Sequence, residues 1–89
     1  MTDQVTGHLT AEELAALMKQ TAGITVAPQD LKQQADSEFT TFGLDSLGLL
    51  GIVGELEKRY GRNLPDRVEK CKTPREFLTS VNDFLAEGV

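Results

Sequence analysis

The sequence predicts an all-α domain: a small four-helix bundle of three long helices and one short one, with a long loop between the first and second helices. Three observations carry this reading. Apolar residues recur at three- and four-residue spacing in three long stretches; two of those stretches open on capping signals; and no stretch alternates apolar and polar residues as a strand would. The 89 residues suffice for one modest core. With 39% hydrophobic residues and no Trp, that core should be mostly aliphatic, with Phe39, Phe42, Phe77, Phe84 and Tyr60 as its larger pieces.

The first helix opens at Thr10, with Glu13 three residues later completing a capping box. Leu14, Leu17 and Met18 follow at helical spacing, Gly23 is its stop, and Leu9 is placed to staple against Leu14. Residues 1–8, including His8, read as a flexible tail, and residues 9–89 as the single folded domain.

Residues 24–44 form a connection too long for a tight turn, and long connections are often functional. Ile24, Val26, Pro28, Leu31, Phe39, Phe42 and Leu44 should pin it to the core as an ordered loop, with a short helical turn near Asp30–Gln34.

The second helix is expected over Asp45–Tyr60, capped by Gly61. At 100° per residue, Leu49, Ile52, Val53, Leu56 and Tyr60 make one apolar stripe, while Leu47 and Leu50 fall outside it beside Ser46. Gly48, Gly51 and Gly54 each cost roughly 1 kcal/mol relative to Ala, so packing and not propensity must hold this helix. A short segment around Val68 follows Leu64-Pro65-Asp66. The last helix starts on Thr73 as N-cap, Pro74 at the first helical position and Glu76 closing a capping box. Phe77, Leu78, Val81, Phe84 and Leu85 give its buried face, and Gly88 ends it.

A net charge of −5 and a pI near 4.7 argue against nucleic acid, whose phosphates would be repelled, and suit docking onto basic partner surfaces. Cys71 is the only cysteine, so no intrachain disulfide forms. No run of about 18 apolar residues spans a membrane, and no basic-then-apolar start marks a leader, so the expected location is the cytosol.

The chemistry centres on Phe42-Gly43-Leu44-Asp45-Ser46-Leu47. A hydroxyl in the first turn of a helix sits at the positive end of the helix dipole, a favourable place for a phosphate ester. Ser46 lacks what a nucleophile needs. G-x-S-x-G is absent, and the one histidine lies far away at His8. One His and one Cys build no zinc site, and no phosphate-cradling G-x-x-x-x-G-K-[ST] run occurs. Alone, Asp-Ser at a helix start is an ordinary capping pair. Two large apolar side chains turned outward beside the hydroxyl suggest instead a surface that partners touch. Ser46 therefore reads as a covalent acceptor, and the chain as non-catalytic.

Gly43-Leu44-Asp45-Ser46-Leu47 resembles the phosphopantetheine attachment motif of acyl carrier proteins. Glu55-Leu56-Glu57-Lys58-Arg59-Tyr60-Gly61, Leu64-Pro65-Asp66 and Thr73-Pro74-Arg75-Glu76-Phe77-Leu78 are similar to the later helices of discrete polyketide carriers, at matching distances from Ser46. The resemblance runs from Leu9 to about Ala86 and is closest to the stand-alone carriers of type II aromatic polyketide synthases. It makes residues 9–89 an acyl carrier domain.

The resemblance implies that a phosphopantetheinyl transferase moves 4′-phosphopantetheine from coenzyme A onto Ser46. The arm's thiol then carries malonyl units and growing polyketide chains as thioesters. It implies visits to a malonyl transferase, a ketosynthase/chain-length factor pair, a ketoreductase and cyclases. Leu47 and Leu50 become apolar docking contacts, Asp45, Glu55 and Glu57 acidic ones, and the chain is expected to be a monomer. Fatty-acid carriers usually have a strongly acidic second helix; Gly48, Gly51, Lys58 and Arg59 depart from that, so charge steering should be weaker here. Gly51 and Gly54 either admit a close partner or mark a tolerant surface. Cys71 reads as a small filler and Phe39 and Phe42 as anchors of the loop that also suit lining an acyl pocket. A fatty-acid or aminoacyl/peptidyl carrier and an unmodified helical interaction module are the alternatives.

Overall fold

Thr10 starts the first helix as its sequence requires. In the computed structural model, which describes residues 8–87, the Thr10 Oγ1 accepts the Glu13 N–H at 3.1 Å and the Glu13 carboxylate accepts the Thr10 N–H at 3.1 Å. This reciprocal cap contributes on the order of 1 kcal/mol. Helix α1 runs Ala11–Ala22, buries Leu14, Leu17 and Met18, and ends at Gly23. The expected tail falls outside the described residues except for His8, which is exposed, and so does Gly88.

The connection to Ser46 is more structured than a loop. Helix α2 spans Pro28–Gln33, starting two residues before the expected turn because Pro28 opens it with a preset φ, and it buries Leu31. A 3-10 helix over Phe39–Phe42 follows. Among the described residues there are five α-helices: the three long and one short helix of the expected bundle, and α2 where a helical turn was expected. This 3-10 turn is held by distant partners. The Phe39 N–H donates to the Lys72 carbonyl at 2.7 Å, and the Phe39 ring meets Phe77 edge-on, centroids 5.9 Å apart. Gly43 ends the turn at φ 86, a left-handed conformation that a side chain would strain.

Helix α3 spans Ser46–Tyr60, α4 Asp66–Glu69 and α5 Pro74–Glu87. Leu49, Ile52, Val53 and Leu56 are buried along α3 as the stripe required, while Tyr60 is half-buried. Val68 is buried in α4, and Phe77, Val81 and Leu85 in α5, with Leu78 and Phe84 packed on the margin. Helix α1 packs on α2 and α3, α3 on α4, and α4 on α5, around one aliphatic core. No polar or charged residue among the described ones is buried.

The start of α5 differs in one detail from its sequence reading. Thr73 Oγ1 accepts the Glu76 N–H at 3.2 Å, but the Glu76 carboxylate reaches one residue further back, to the Lys72 N–H at 2.9 Å. Glu76 therefore braces the α4–α5 linker and not the N-cap itself. Side chains also fix the other connections. Asn82 takes both backbone groups of Leu9, accepting its N–H and donating to its carbonyl at 3.0 Å. The Arg75 N–H donates to the Ala35 carbonyl at 3.0 Å while its guanidinium meets Asp36 at 2.7 Å, a contact that raises the Arg75 pKa above its ordinary value.

Candidate functional site

Asp45 caps α3: its Oδ1 accepts the Gly48 N–H at 2.8 Å. That leaves Ser46 as the first helical residue, with its side chain exposed. Two features upstream set this position. Gly43 turns the chain out of the 3-10 helix, and Leu44, 1% exposed, nails the following step into the core. The hydroxyl is thereby fixed in place at the positive end of a 15-residue helix.

Leu47 is 75% exposed and Leu50 46%, the two large apolar side chains that stand out from the surface among the described residues. They flank Ser46 along α3 as expected. Of the acidic residues expected to dock, Asp45 is exposed but engaged as the cap. Glu55 lies 3.9 Å from Arg59, one turn on. Glu57 is half-buried, and its Oε2 accepts the Leu64 N–H at 2.7 Å, fixing the turn after α3. The acidic side of α3 is thus partly committed to the chain's own structure.

The three glycines of α3 have different standings. A Cβ on Gly48 would lie 2.7 Å from Leu44 Cδ1 and 3.5 Å from the Ala22 Cβ, so this glycine lets the end of α1 and the site loop approach. At Gly51 the nearest neighbour, the Thr21 Cβ, is at an ordinary 3.8 Å, and at Gly54 there is open space.

Ser46 stands on the wall of a cavity of about 400 Å³. Phe39, Leu44 and Leu49 contribute apolar walls, and Glu69, Lys70, Cys71 and Lys72 close the side formed by α4 and its linker. Of the two phenylalanines suited to a pocket, Phe39 lines this one, whereas Phe42 does not and packs half-buried against the core; the Glu69–Lys72 wall was not foreseen from the sequence. Its only signal was the pair of lysines at the end of the short helix. Cys71 is half-buried, its Sγ 3.4 Å from the Arg67 carbonyl, and it lines this cavity in addition to filling space. No histidine is among the lining residues, so no imidazole base attends the hydroxyl. An exposed hydroxyl on a helix start, opening beside an apolar-walled recess, fits a phosphate-linked arm: the ester takes the helix end and the chain beyond it has somewhere to lie.

No helix of the described residues is long and apolar enough to cross a membrane. The chain matches the family described as phosphopantetheine attachment site over residues 12–81. It is 63% identical over 90 residues to a probable acyl carrier protein of Streptomyces coelicolor, covering 100% of both chains. It is 60% identical over 88 residues to the curamycin polyketide synthase acyl carrier protein of Streptomyces cyaneus, covering 99% of each. Among solved structures it is similar to a 3,5-dioxohexyl ACP, a triketide mimic, from the actinorhodin polyketide synthase in Streptomyces coelicolor. That likeness has a TM-score of 0.75 and 36% identity and covers 97% of this chain and 100% of that one. The family match over residues 12–81, the similarity over the whole length and the likeness to a solved carrier agree, and the chain belongs to the acyl carrier protein family.

Proposed function

We propose that this chain is the non-catalytic carrier of a type II polyketide synthase, bearing a 4′-phosphopantetheine arm on Ser46. The observation that carries the reading is the Ser46 hydroxyl itself: exposed, first in α3, beside outward-facing Leu47 and Leu50, and on the wall of the recess. The polyketide assignment draws on relatives such as the curamycin carrier, 60% identical.

When attached, the group supplies a terminal thiol on which acyl units travel as thioesters. The chain's own part is to present and to be recognised. In the loading step Ser46 Oγ attacks the β-phosphorus of coenzyme A. A new O–P bond forms, the pyrophosphate bridge breaks, adenosine 3′,5′-bisphosphate leaves, and the hydroxyl proton passes to a base of the transferase. Leu47 and Leu50 offer the apolar contact, with Asp45, Glu55 and Glu57 as an acidic margin for basic partner residues. Tethering raises the effective concentration of cargo at each partner without any bond chemistry by the carrier. The partners are a phosphopantetheinyl transferase, a malonyl transferase, a ketosynthase/chain-length factor, a ketoreductase and cyclases, met by a cytoplasmic monomer.

Intact-protein mass spectrometry after incubation with coenzyme A and a broad-specificity transferase tests this. The wild-type chain should gain one phosphopantetheine and Ser46→Ala none. An unmodified wild type defeats the carrier reading. Selective aminoacylation by an adenylating enzyme, in preference to malonyl loading, defeats the polyketide assignment alone.

A further inference from the structure

Charge is unevenly distributed along this acidic chain. Seven of its nine Lys and Arg residues, but only two of its fourteen acids, fall within residues 58–75. Four of those cations lie together where α4 leads into α5: Arg67 in α4, Lys70 and Lys72 in the linker, and Arg75 in the first turn of α5. Arg67 pairs with Glu87 and Arg75 with Asp36, whereas Lys70 and Lys72 are in no ion pair among the described residues. These two unpaired lysines are the ones that line the recess with Ser46.

Resting on the carrier reading, we propose that Lys70 and Lys72 form a cationic clamp for the phosphate borne by Ser46. The phosphate is the one part of the arm whose place the chain dictates, because it is bonded directly to the serine oxygen. The recess around it already holds three carboxylates, Glu38, Asp45 and Glu69. A phosphodiester adds further negative charge there, and Asp45 on the Gly48 N–H already uses part of the positive helix end. Two ammonium groups on flexible four-carbon stems offset that repulsion. Their backbone groups are hydrogen-bonded within the fold, which leaves the side chains to reach the phosphate. The Lys72 carbonyl accepts the Phe39 N–H at 2.7 Å and its N–H is held by Glu76 at 2.9 Å. The Lys70 N–H caps α4 on the Arg67 carbonyl at 3.2 Å.

The test is phosphorus NMR on the intact holo chain, wild type against Lys70→Gln/Lys72→Gln, with Lys19→Gln/Lys58→Gln as the control. In the double variant at the recess the phosphodiester signal should narrow and move toward that of free phosphopantetheine esters. Half a molar salt should produce the same change in the wild type, and the control should match the wild type. In lysine-labelled protein, the Lys70 and Lys72 side-chain signals should shift on arm attachment while those of Lys19 and Lys58 stay. A chain that gains the arm but shows one phosphorus signal in all three proteins overturns the clamp alone. A chain that gains no arm overturns the clamp and the carrier reading together.

Discussion

Leu44 lies so close over Gly48 that a Cβ at Gly48 would stand 2.7 Å from Leu44 Cδ1. Leu44 is buried and immediately precedes the Asp45-Ser46 pair, so room made for a methyl group at Gly48 must come from the segment that positions the site. Gly48→Ala gains up to about 1 kcal/mol of helix propensity but meets an overpacking cost of roughly 1–3 kcal/mol. Gly54→Ala meets no neighbour and keeps only the gain. Thermal unfolding should rank Gly54→Ala above wild type and wild type above Gly48→Ala, with the two variants separated by several degrees, at about 4–8 °C per kcal/mol for a domain of this size. Equal midpoints for the two variants would contradict the packing assigned to Gly48.

Leu47 and Leu56 lie on the same helix with opposite exposure, 75% against 0%. Leu47→Glu should change stability by no more than about 0.5 kcal/mol, because the new carboxylate stays in water. Leu56→Glu places a charge in an aliphatic core and should abolish the fold as read by circular dichroism. If Leu47 is a docking contact, its folded Glu variant should lose about tenfold or more in the kcat/KM of transferase-catalysed modification, the equivalent of about 1.4 kcal/mol of recognition. Modification at the wild-type rate would remove Leu47 from the docking surface.

The three long helices were legible because each carries enough turns to show its period, and α1 and α5 carry side-chain caps that need no distant partner. The six residues of α2 and the four of the 3-10 helix show no period, and their positions depend on long-range contacts. Phe39 is held by the carbonyl of Lys72 and the ring of Phe77, neither of which any local pattern around Phe39 reveals. The same holds at the site. Ser46, Leu47 and Leu50 could be assigned from one helix. The wall opposite them is built by Glu69–Lys72, whose approach depends on the α3–α4 turn that Glu57 fixes through Leu64. Three glycines at equal spacing also look alike in a sequence, and only the neighbouring Leu44 and Ala22 distinguish Gly48.

Burial pushes the Tyr60 phenol above its ordinary pKa of 10.0, the nearby Glu13 carboxylate adds to this, and Arg59 opposes it. Above about pH 10 the unfolded chain therefore ionises this phenol before the folded chain does. Unfolding then releases a proton, so the stability contributed by Tyr60 is complete below about pH 10 and is lost as pH rises through the folded value. Tyr60→Phe keeps the ring and removes the titration. Urea midpoints at about pH 8 and pH 11 should fall further for wild type than for Tyr60→Phe. An identical fall in both proteins would show that the phenol is as well solvated folded as unfolded.

Arg59 sits 3.9 Å from Glu55, partly neutralising an acid on the helix that carries Ser46. Both side chains retain solvent access, so the pair itself contributes only about 0.3–0.5 kcal/mol to stability. Its larger effect is on the field that an approaching partner meets. Arg59→Gln makes that face one unit more negative and leaves the Glu55 carboxylate without its counter-ion. If partners present basic residues to this side, Arg59→Gln should raise the low-salt kcat/KM for transferase modification by about two- to threefold. Glu55→Gln should lower it by a similar factor. Both effects should fade at about half-molar salt, where the Debye length shrinks to a few ångströms. Equal rates for the two variants at low salt would mean that docking onto α3 rests on Leu47 and Leu50 without help from charge.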